Sequence, residues 1–327
     1  MFVKTFKNNY LLQLTILTTI PILLWIPAFF SPPTPIITNF DTSIYKLIYH
    51  TLSPLKTLCT ILAFVLVIIQ GLIINNIFSS NQLSPSTTFL PAFIYVLLLS
   101  SNYDLMTISP MLILNTFIIF AIYFLFRSFD KSEGLDEVFS SSLFVSLAFL
   151  CFKPSIFFIL WVWFALLNYR FYKWRYWIIS LLGFLTPVIF LATYYFIFDK
   201  LYIEGLAFIN KTNFIPNFFV DVKPIYFVFY AVIGFLGLIS LIKLLSSKAD
   251  NNINYRKKTN IIVIFFAIAI LPGLYNLGKD YLIFLLAPAL CYLLAHFLNV
   301  KRKLIYSNII FSILFLLIIT KLIFSLT

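Results

Sequence analysis

The chain has 327 residues, of which 62% are hydrophobic and only 10% charged, with a formal net charge of +12 and a mean hydropathy of +1.01. An ordinary soluble domain carries roughly 25% charged residues, so a soluble globular protein is excluded. The apolar residues run in blocks of roughly 15 to 24 rather than alternating with polar ones, which excludes an outer-membrane barrel.

The expected fold is all-α: a polytopic transmembrane helical bundle of about 11 spans (10–12), forming one integral membrane domain over residues 1–327 with no sizeable soluble part. In chain order the apolar runs cover residues 10–30, 56–79, 88–101, 109–126, 138–152, 155–169, 177–198, 224–247, 260–277, 281–298 and 304–325. Turn or charge signals separate them, among them SPPTP at 31–35, SFDKSEGLDE at 128–137, SSKADNNINYRKK at 246–258 and KRK at 301–303. Lys4 and Lys7 precede the first run, which at about 20 residues is too long for a signal peptide and ends without a small-x-small cleavage pattern. It reads as a retained anchor.

Between the first two spans, Phe40, Ile44, Leu47, Ile48 and Leu52 recur near helical spacing, which predicts an amphipathic helix lying in the membrane interface. Residues 201–209, LYIEGLAFI, are read the same way. Three segments look like pairs of short helices. The block 138–169 is broken only at Lys153-Pro154, and each arm of about 22 Å falls short of a hydrocarbon core of about 30 Å. The pairs 88–101 with 109–126 and 260–277 with 281–298 turn around Asn102-Tyr103-Asp104 and Gly278-Lys279-Asp280.

The positive charge is a topology signal. With the N-terminus in the cytoplasm, 15 of the 23 basic residues fall on the cytoplasmic side, the clusters at 170–175, 256–258 and 301–303 included. This distribution argues against nucleic acid, which needs the basic residues gathered on one folded face. In this orientation all three tips point away from the cytoplasm. Asp104, Lys153, Lys279 and Asp280 then either line one sunken polar vestibule roofed by the outer loops, or cap ordinary exposed turns. On the cytoplasmic side Asp136 and Glu137 are expected to begin a helix and complement its dipole. Arg170, Lys173, Trp174, Arg175, Tyr176 and Trp177 are expected to form an interfacial belt.

Cofactor chemistry is sharply limited. Two histidines, His50 and His296, and three cysteines, Cys59, Cys151 and Cys291, leave no CxxC or HExxH spacing, so no metal site and no cofactor are expected. Each cysteine lies in an apolar run and is expected to be a buried free thiol. No Walker, Rossmann or GxSxG pattern occurs. Gly234-Phe235-Leu236-Gly237 is expected to let two helices approach.

The run LPAFIYVLLLS at 90–100, then SLAFLCFKPSIFFILWVWFALLNYRFYKWRYWIISLLGFLTP at 146–187 and YYF at 194–196, resembles an uncharacterised family of multi-pass inner-membrane proteins from Bacteroidetes-type bacteria, a domain of unknown function. The resemblance spans most of the chain. It departs at Arg175-Tyr176, where the family has Arg-Glu, and at Leu135-Asp136-Glu137-Val138, which keeps only the Asp of Phe-Asp-Ala-Gly. Some relatives carry a carotenoid-oxygenase name, against which the count of two histidines argues. The family implies an inner-membrane location and brings no activity with it.

Three functions stay open. One is a non-catalytic or accessory component of cell-envelope biogenesis, supported by the lack of any dense polar site. The second follows from a likeness in architecture to C-type membrane glycosyltransferases, which act on polyprenyl-phosphate-linked sugars. They share about ten spans, interfacial helices in outer loops and an acid in the first outer loop. In that reading Asp41 is the base, Asp104 or Asp280 the second acid, and Lys153, Lys211 or Lys279 face the lipid phosphate. The third is a transporter or lipid flippase, weakened by the near absence of acids at span centres. The expected partners are membrane lipids, a polyprenyl-phosphate lipid among them.

Overall fold

A computed structural model describes residues 10–35, 42–84, 88–131, 133–202, 205, 224–247, 252–273, 281–300 and 304–326. Twelve helices and no strand occur among them, and 86% of the structure is helical. They are α1 (Tyr10–Phe30), α2 (Ser43–Leu52), α3 (Lys56–Ser80), α4 (Leu90–Leu99), α5 (Pro110–Asp130), α6 (Leu135–Phe149), α7 (Phe158–Tyr169), α8 (Trp174–Ile197), α9 (Pro224–Ser247), α10 (Ile253–Gly273), α11 (Tyr281–Val300) and α12 (Leu304–Leu326). Every apolar run read from the sequence overlaps one of these helices, and α2 is the amphipathic helix expected between the first two. Seven helices, α1, α3, α5, α8, α9, α11 and α12, are long and apolar enough to cross a membrane.

Of the two pairs whose tips are described, the block 138–169 divides into two short helices as expected, whereas in the other only α4 is short and α5, at 21 residues, is long enough to cross. Helix α4 is followed by a 3-10 turn at Tyr103–Leu105 and by α5, and α6 is followed by a 3-10 turn at Lys153–Phe157 and by α7. Local chemistry sets these boundaries. The Ser109 hydroxyl accepts from the Leu112 N–H at 3.3 Å, and Pro110 opens α5, where its missing N–H costs nothing. At the other end of α5, Gly134 adopts φ +59°, and a Cβ there would lie 2.4 Å from the Ser128 carbonyl oxygen. Only glycine fits so tight a return into α6.

All ten residues of α4 are buried. At about 15 Å it reaches only halfway through a hydrocarbon core. It packs against α1, α3, α11 and α12, with Phe93 stacked on Phe311 at 5.9 Å. Its ends therefore lie inside protein, where each free backbone group needs a partner. Gln13 Oε1 accepts from the Phe89 N–H at 2.8 Å at one end. At the other the Ser100 hydroxyl donates to the Val96 carbonyl at 2.8 Å and accepts from Trp25 Nε1 at 2.8 Å. Helix α11 forms the rest of the centre, touching α4, α5, α9, α10 and α12. Pro288 interrupts it and frees the carbonyl of Phe284, which accepts from Asn115 Nδ2 of α5 at 2.8 Å.

A second layer, α6 with α8, packs on the outside of α5 and α7. The contact of α6 with α8 depends on Gly183, where a Cβ would fall 2.5 Å from the Phe139 carbonyl oxygen.

Candidate functional site

The packing sorts the charged residues to two ends. At the first, which we term the basic end, Lys258 Nζ of α10 lies 2.8 Å from both oxygens of Asp130, the last residue of α5, and donates to Asn81 Oδ1 at 2.6 Å. Lys258 is only 5% exposed. Glu137, equally buried in the first turn of α6, is held by Lys131 and by Arg127, whose Nε is 3.6 Å away. Asp136 and Glu137 do begin α6, as the helix dipole favours. The Tyr176 hydroxyl donates to the Glu133 carbonyl at 2.6 Å, tying the start of α8 to the same loop. Asn168 Nδ2 donates to the Lys257 carbonyl at 2.8 Å, and the Lys257 ammonium sits 4.8 Å from the Phe129 ring. The links join neighbouring helices to one another or to the loop between α5 and α6.

The sequence reading left Lys258 in an inter-helix stretch, and the structure starts α10 at Ile253 instead. Polar residues 255–258 look like a loop by composition. They are helical because α5, α7 and α11 supply partners, such as Tyr292, whose hydroxyl donates to the Tyr255 oxygen at 3.2 Å.

The other end carries α2 and the two described tips. The Thr42 N–H donates to the Cys151 carbonyl at 3.3 Å, and its hydroxyl donates to the Leu150 carbonyl. The Tyr45 hydroxyl, fully buried, donates to the Ile108 carbonyl at 3.1 Å. Helix α2 thus lies across both turns and fastens to the backbone of each; this is the roofed end. The crevice beneath it is filled by Tyr45, Ile48, Leu52, Cys59 and Ile108. The Tyr103 hydroxyl donates to the Ser31 carbonyl, and the Tyr103 N–H donates to Ser325 Oγ at 3.1 Å, so the ends of α1 and α12 belong here too.

Of the candidate site residues, Lys153 and Asp104 are described. Both stand on turns at the roofed end. Lys153 is 6% exposed, enclosed at the start of its turn. Asp104 is exposed, with its N–H donating to Asn102 Oδ1 at 3.0 Å. Asp41, Lys211, Lys279 and Asp280 lie outside the described residues, as does most of the 201–209 stretch.

Three buried polar contacts escaped the sequence reading. Gln70 of α3 accepts from the Tyr95 hydroxyl at 2.8 Å and donates to Leu112 O at 2.8 Å and Thr116 Oγ1 at 2.6 Å, joining three helices at mid-depth. Asn115 serves the carbonyl freed by Pro288. Lys321 of α12, fully buried, lies 4.3 Å from the Phe229 ring and 5.5 Å from the Tyr230 ring. A lone amide or lysine within an apolar run was the available signal in each case.

All three cysteines are buried and free, as read. Among the described residues no group of three His, Cys, Asp or Glu side chains is placed to hold a metal ion. The two glycines of 234–237 behave differently. A Cβ on Gly237 would meet Leu290 Cδ2 at 3.2 Å, whereas one on Gly234 would meet nothing within 4 Å. Only Gly237 serves a close helix approach. No family model, curated protein or solved structure matches the chain.

Proposed function

We propose that the chain is a multi-pass protein of the bacterial inner membrane, with its N-terminus in the cytoplasm, that serves cell-envelope biogenesis as a non-catalytic, accessory component. The observation that carries this reading is the use made of charge. At the basic end Asp130 and Glu137 are joined to Lys258, Arg127 and Lys131 in bridges between helices. At the roofed end, the described carboxylates Asp104 and Asp199 are both exposed on turns. The orientation follows from the basic residues gathered at one end.

The enzyme reading has one observation in its favour. Thr42, which follows Asp41 in the sequence, is bonded to residues 150 and 151, close in sequence to the buried Lys153. A C-type glycosyltransferase-like enzyme needs a base and a phosphate-binding cation at one such place.

Complementation separates the two. A deletion strain is rescued with the chain carrying Asp41→Asn, Asp104→Asn and Asp280→Asn together, and envelope integrity is read as detergent sensitivity. The accessory reading expects full rescue by the triple variant. Failure of Asp41→Asn alone, at normal protein level, makes the enzyme reading the better one. A deletion with no envelope defect removes the envelope assignment.

A further inference from the structure

The corner where α7 turns into α8 gathers three cations on the outside of the bundle. Arg170 closes α7 at φ +65°, held there because its N–H donates to the Leu167 carbonyl and that of Phe171 to the Leu166 carbonyl, both at 3.0 Å. Lys173 and Arg175 stand at the start of α8, whose first turn carries no acid. The turn between the helices is pinned from inside by rings: Phe171 stacks on Tyr176 at 4.5 Å, and Tyr169 on Phe129 at 4.6 Å. Arg170, Lys173 and Arg175 are exposed, flanked by the exposed rings of Tyr172 and Trp174. Among the described residues none of the three forms an ion pair. Asp130 and Glu137 are taken by Lys258, Lys131 and Arg127, and the exposed Glu133 and Asp136 pair with none of the corner cations.

An apolar stripe begins at the same corner. In α8 only Tyr176, Ser180 and Gly183 are buried, and their spacing puts them on one face. On the opposite face Trp174, Ile178, Leu181 and Leu185 follow at helical spacing, all of them exposed. The stripe is about 16 Å long, roughly half the depth of a hydrocarbon core. Cations above an apolar stripe on an outer helix suit a molecule that joins negative charge to hydrocarbon. A nucleic acid or a soluble acidic segment would meet the cations and leave the stripe unused.

We propose that this corner holds one anionic phospholipid, its phosphate among Arg170, Lys173 and Arg175 and an acyl chain along Ile178, Leu181 and Leu185. The cations select it over a zwitterionic lipid, because a phosphatidylcholine head brings its own positive charge and a phosphatidylglycerol head does not. The pinned turn makes the site a fixed one, since its backbone needs no further ordering when the lipid arrives. The inference requires only that α8 crosses a membrane. It holds for an accessory protein and an enzyme alike, and for either orientation of the chain.

The test uses the full chain in phosphatidylcholine nanodiscs holding a minor fraction of lipid brominated on its chains, either phosphatidylglycerol or phosphatidylcholine. Trp174 is exposed at the corner, whereas Trp25 and Trp161 are fully buried. Its quenching is read as the difference between each chain and the same chain carrying Trp174→Phe. Brominated phosphatidylglycerol is expected to occupy the site about tenfold more strongly than brominated phosphatidylcholine, the ratio of ~1.4 kcal/mol. Arg170→Gln alone is expected to lower that preference about threefold, and Arg170→Gln, Lys173→Gln and Arg175→Gln together to abolish it. Lys243→Gln, which removes one charge from α9, is expected to leave it unchanged, as is glycerol phosphate added to the solution. Thermal melting shows that each variant is folded. Equal quenching by the two lipids, a preference surviving in the folded single and triple variants, an equal loss in Lys243→Gln, or displacement by soluble glycerol phosphate would overturn the proposal.

Discussion

The two ends of the bundle are held by different chemistry. At the basic end, side chains pair with one another, Lys258 with Asp130 and Asn81, Glu137 with Lys131 and Arg127, and two more, Tyr176 and Asn168, add bonds to the carbonyls of 133 and 257. At the roofed end, the donors reach backbone carbonyls: the Thr42 hydroxyl that of 150 and its N–H that of 151, the Tyr45 hydroxyl that of 108, the Tyr103 hydroxyl that of 31. The difference follows from what each end must close. The basic end closes helix termini that carry charge, and pairing lets the charges sit against one another. The roofed end closes the ends of α4 and α6, helices of 10 and 15 residues, whose last carbonyls need donors. Ion pairs lock the first end, while the second is a hydrogen-bonded lid.

The sharpest way to break this comparison is to ask whether the ends lie on opposite faces of a membrane. Asp104→Cys and Lys173→Cys place one thiol at each end, and the three native cysteines are buried. A membrane-impermeant maleimide added to intact inner-membrane-exposed cells is expected to label residue 104 and not residue 173, an all-or-none difference. Labelling of 173 from outside reverses the orientation.

Next in size is Asp130→Ala. It strands the buried ammonium of Lys258 with only Asn81 as acceptor. Loss of one partner from a fully buried pair costs ~3–5 kcal/mol. Asp130 is half exposed, so screening by water lowers the expected loss to ~2 kcal/mol, measured as a fall in the thermal midpoint in detergent. The double variant Asp130→Ala with Lys258→Met removes both charges and is expected to recover much of that loss. No recovery would mean that the pair does not act as a unit.

Asn115→Leu tests the centre that both ends enclose. It removes the donor to the Phe284 carbonyl, which Pro288 has already denied its helical partner. A buried polar group left unpaired costs ~1–3 kcal/mol. Replacing Pro288 by Ala in the same chain supplies an N–H for that carbonyl, and the two changes together are expected to be milder than Asn115→Leu alone. An additive result would separate Asn115 from the proline.

These contacts also show what the sequence could convey. The eleven apolar runs mark the helices because chain length and hydropathy are local properties. Helix α2 was legible because Ile44, Leu47, Ile48 and Leu52 repeat at helical spacing. Helix α4 was legible as a helix but not as the buried centre. Leu90–Leu99 is apolar on every face, and an apolar face does not reveal whether lipid or protein covers it. Lys258 looked like one more basic residue because its partner, Asp130, is 128 residues away. Gly234 and Gly237 are three residues apart and look alike in sequence, yet one meets Leu290 and the other meets open space. The candidate site was legible only as a set of turns: the sequence placed Asp104 and Lys153 at tips, and tertiary packing decided that one is exposed and the other enclosed.

The smallest expected effect belongs to the lid. Tyr45→Phe deletes one hydroxyl and leaves the ring in its fully buried place, so the loss is that of a single hydrogen bond to the Ile108 carbonyl, ~1 kcal/mol. The argument for a lid requires that this loss be local. Helix α2 contacts α3 and the two turns, while Asp130, Glu137 and Lys258 lie at the far end of α5, α6 and α10. Hydrogen exchange of Tyr45→Phe is therefore expected to rise in α2 and in residues 106–109, with 130–137 and 256–259 unchanged. Faster exchange at both ends would mean that the bundle opens as one unit and that the two chemistries do not close separate doors.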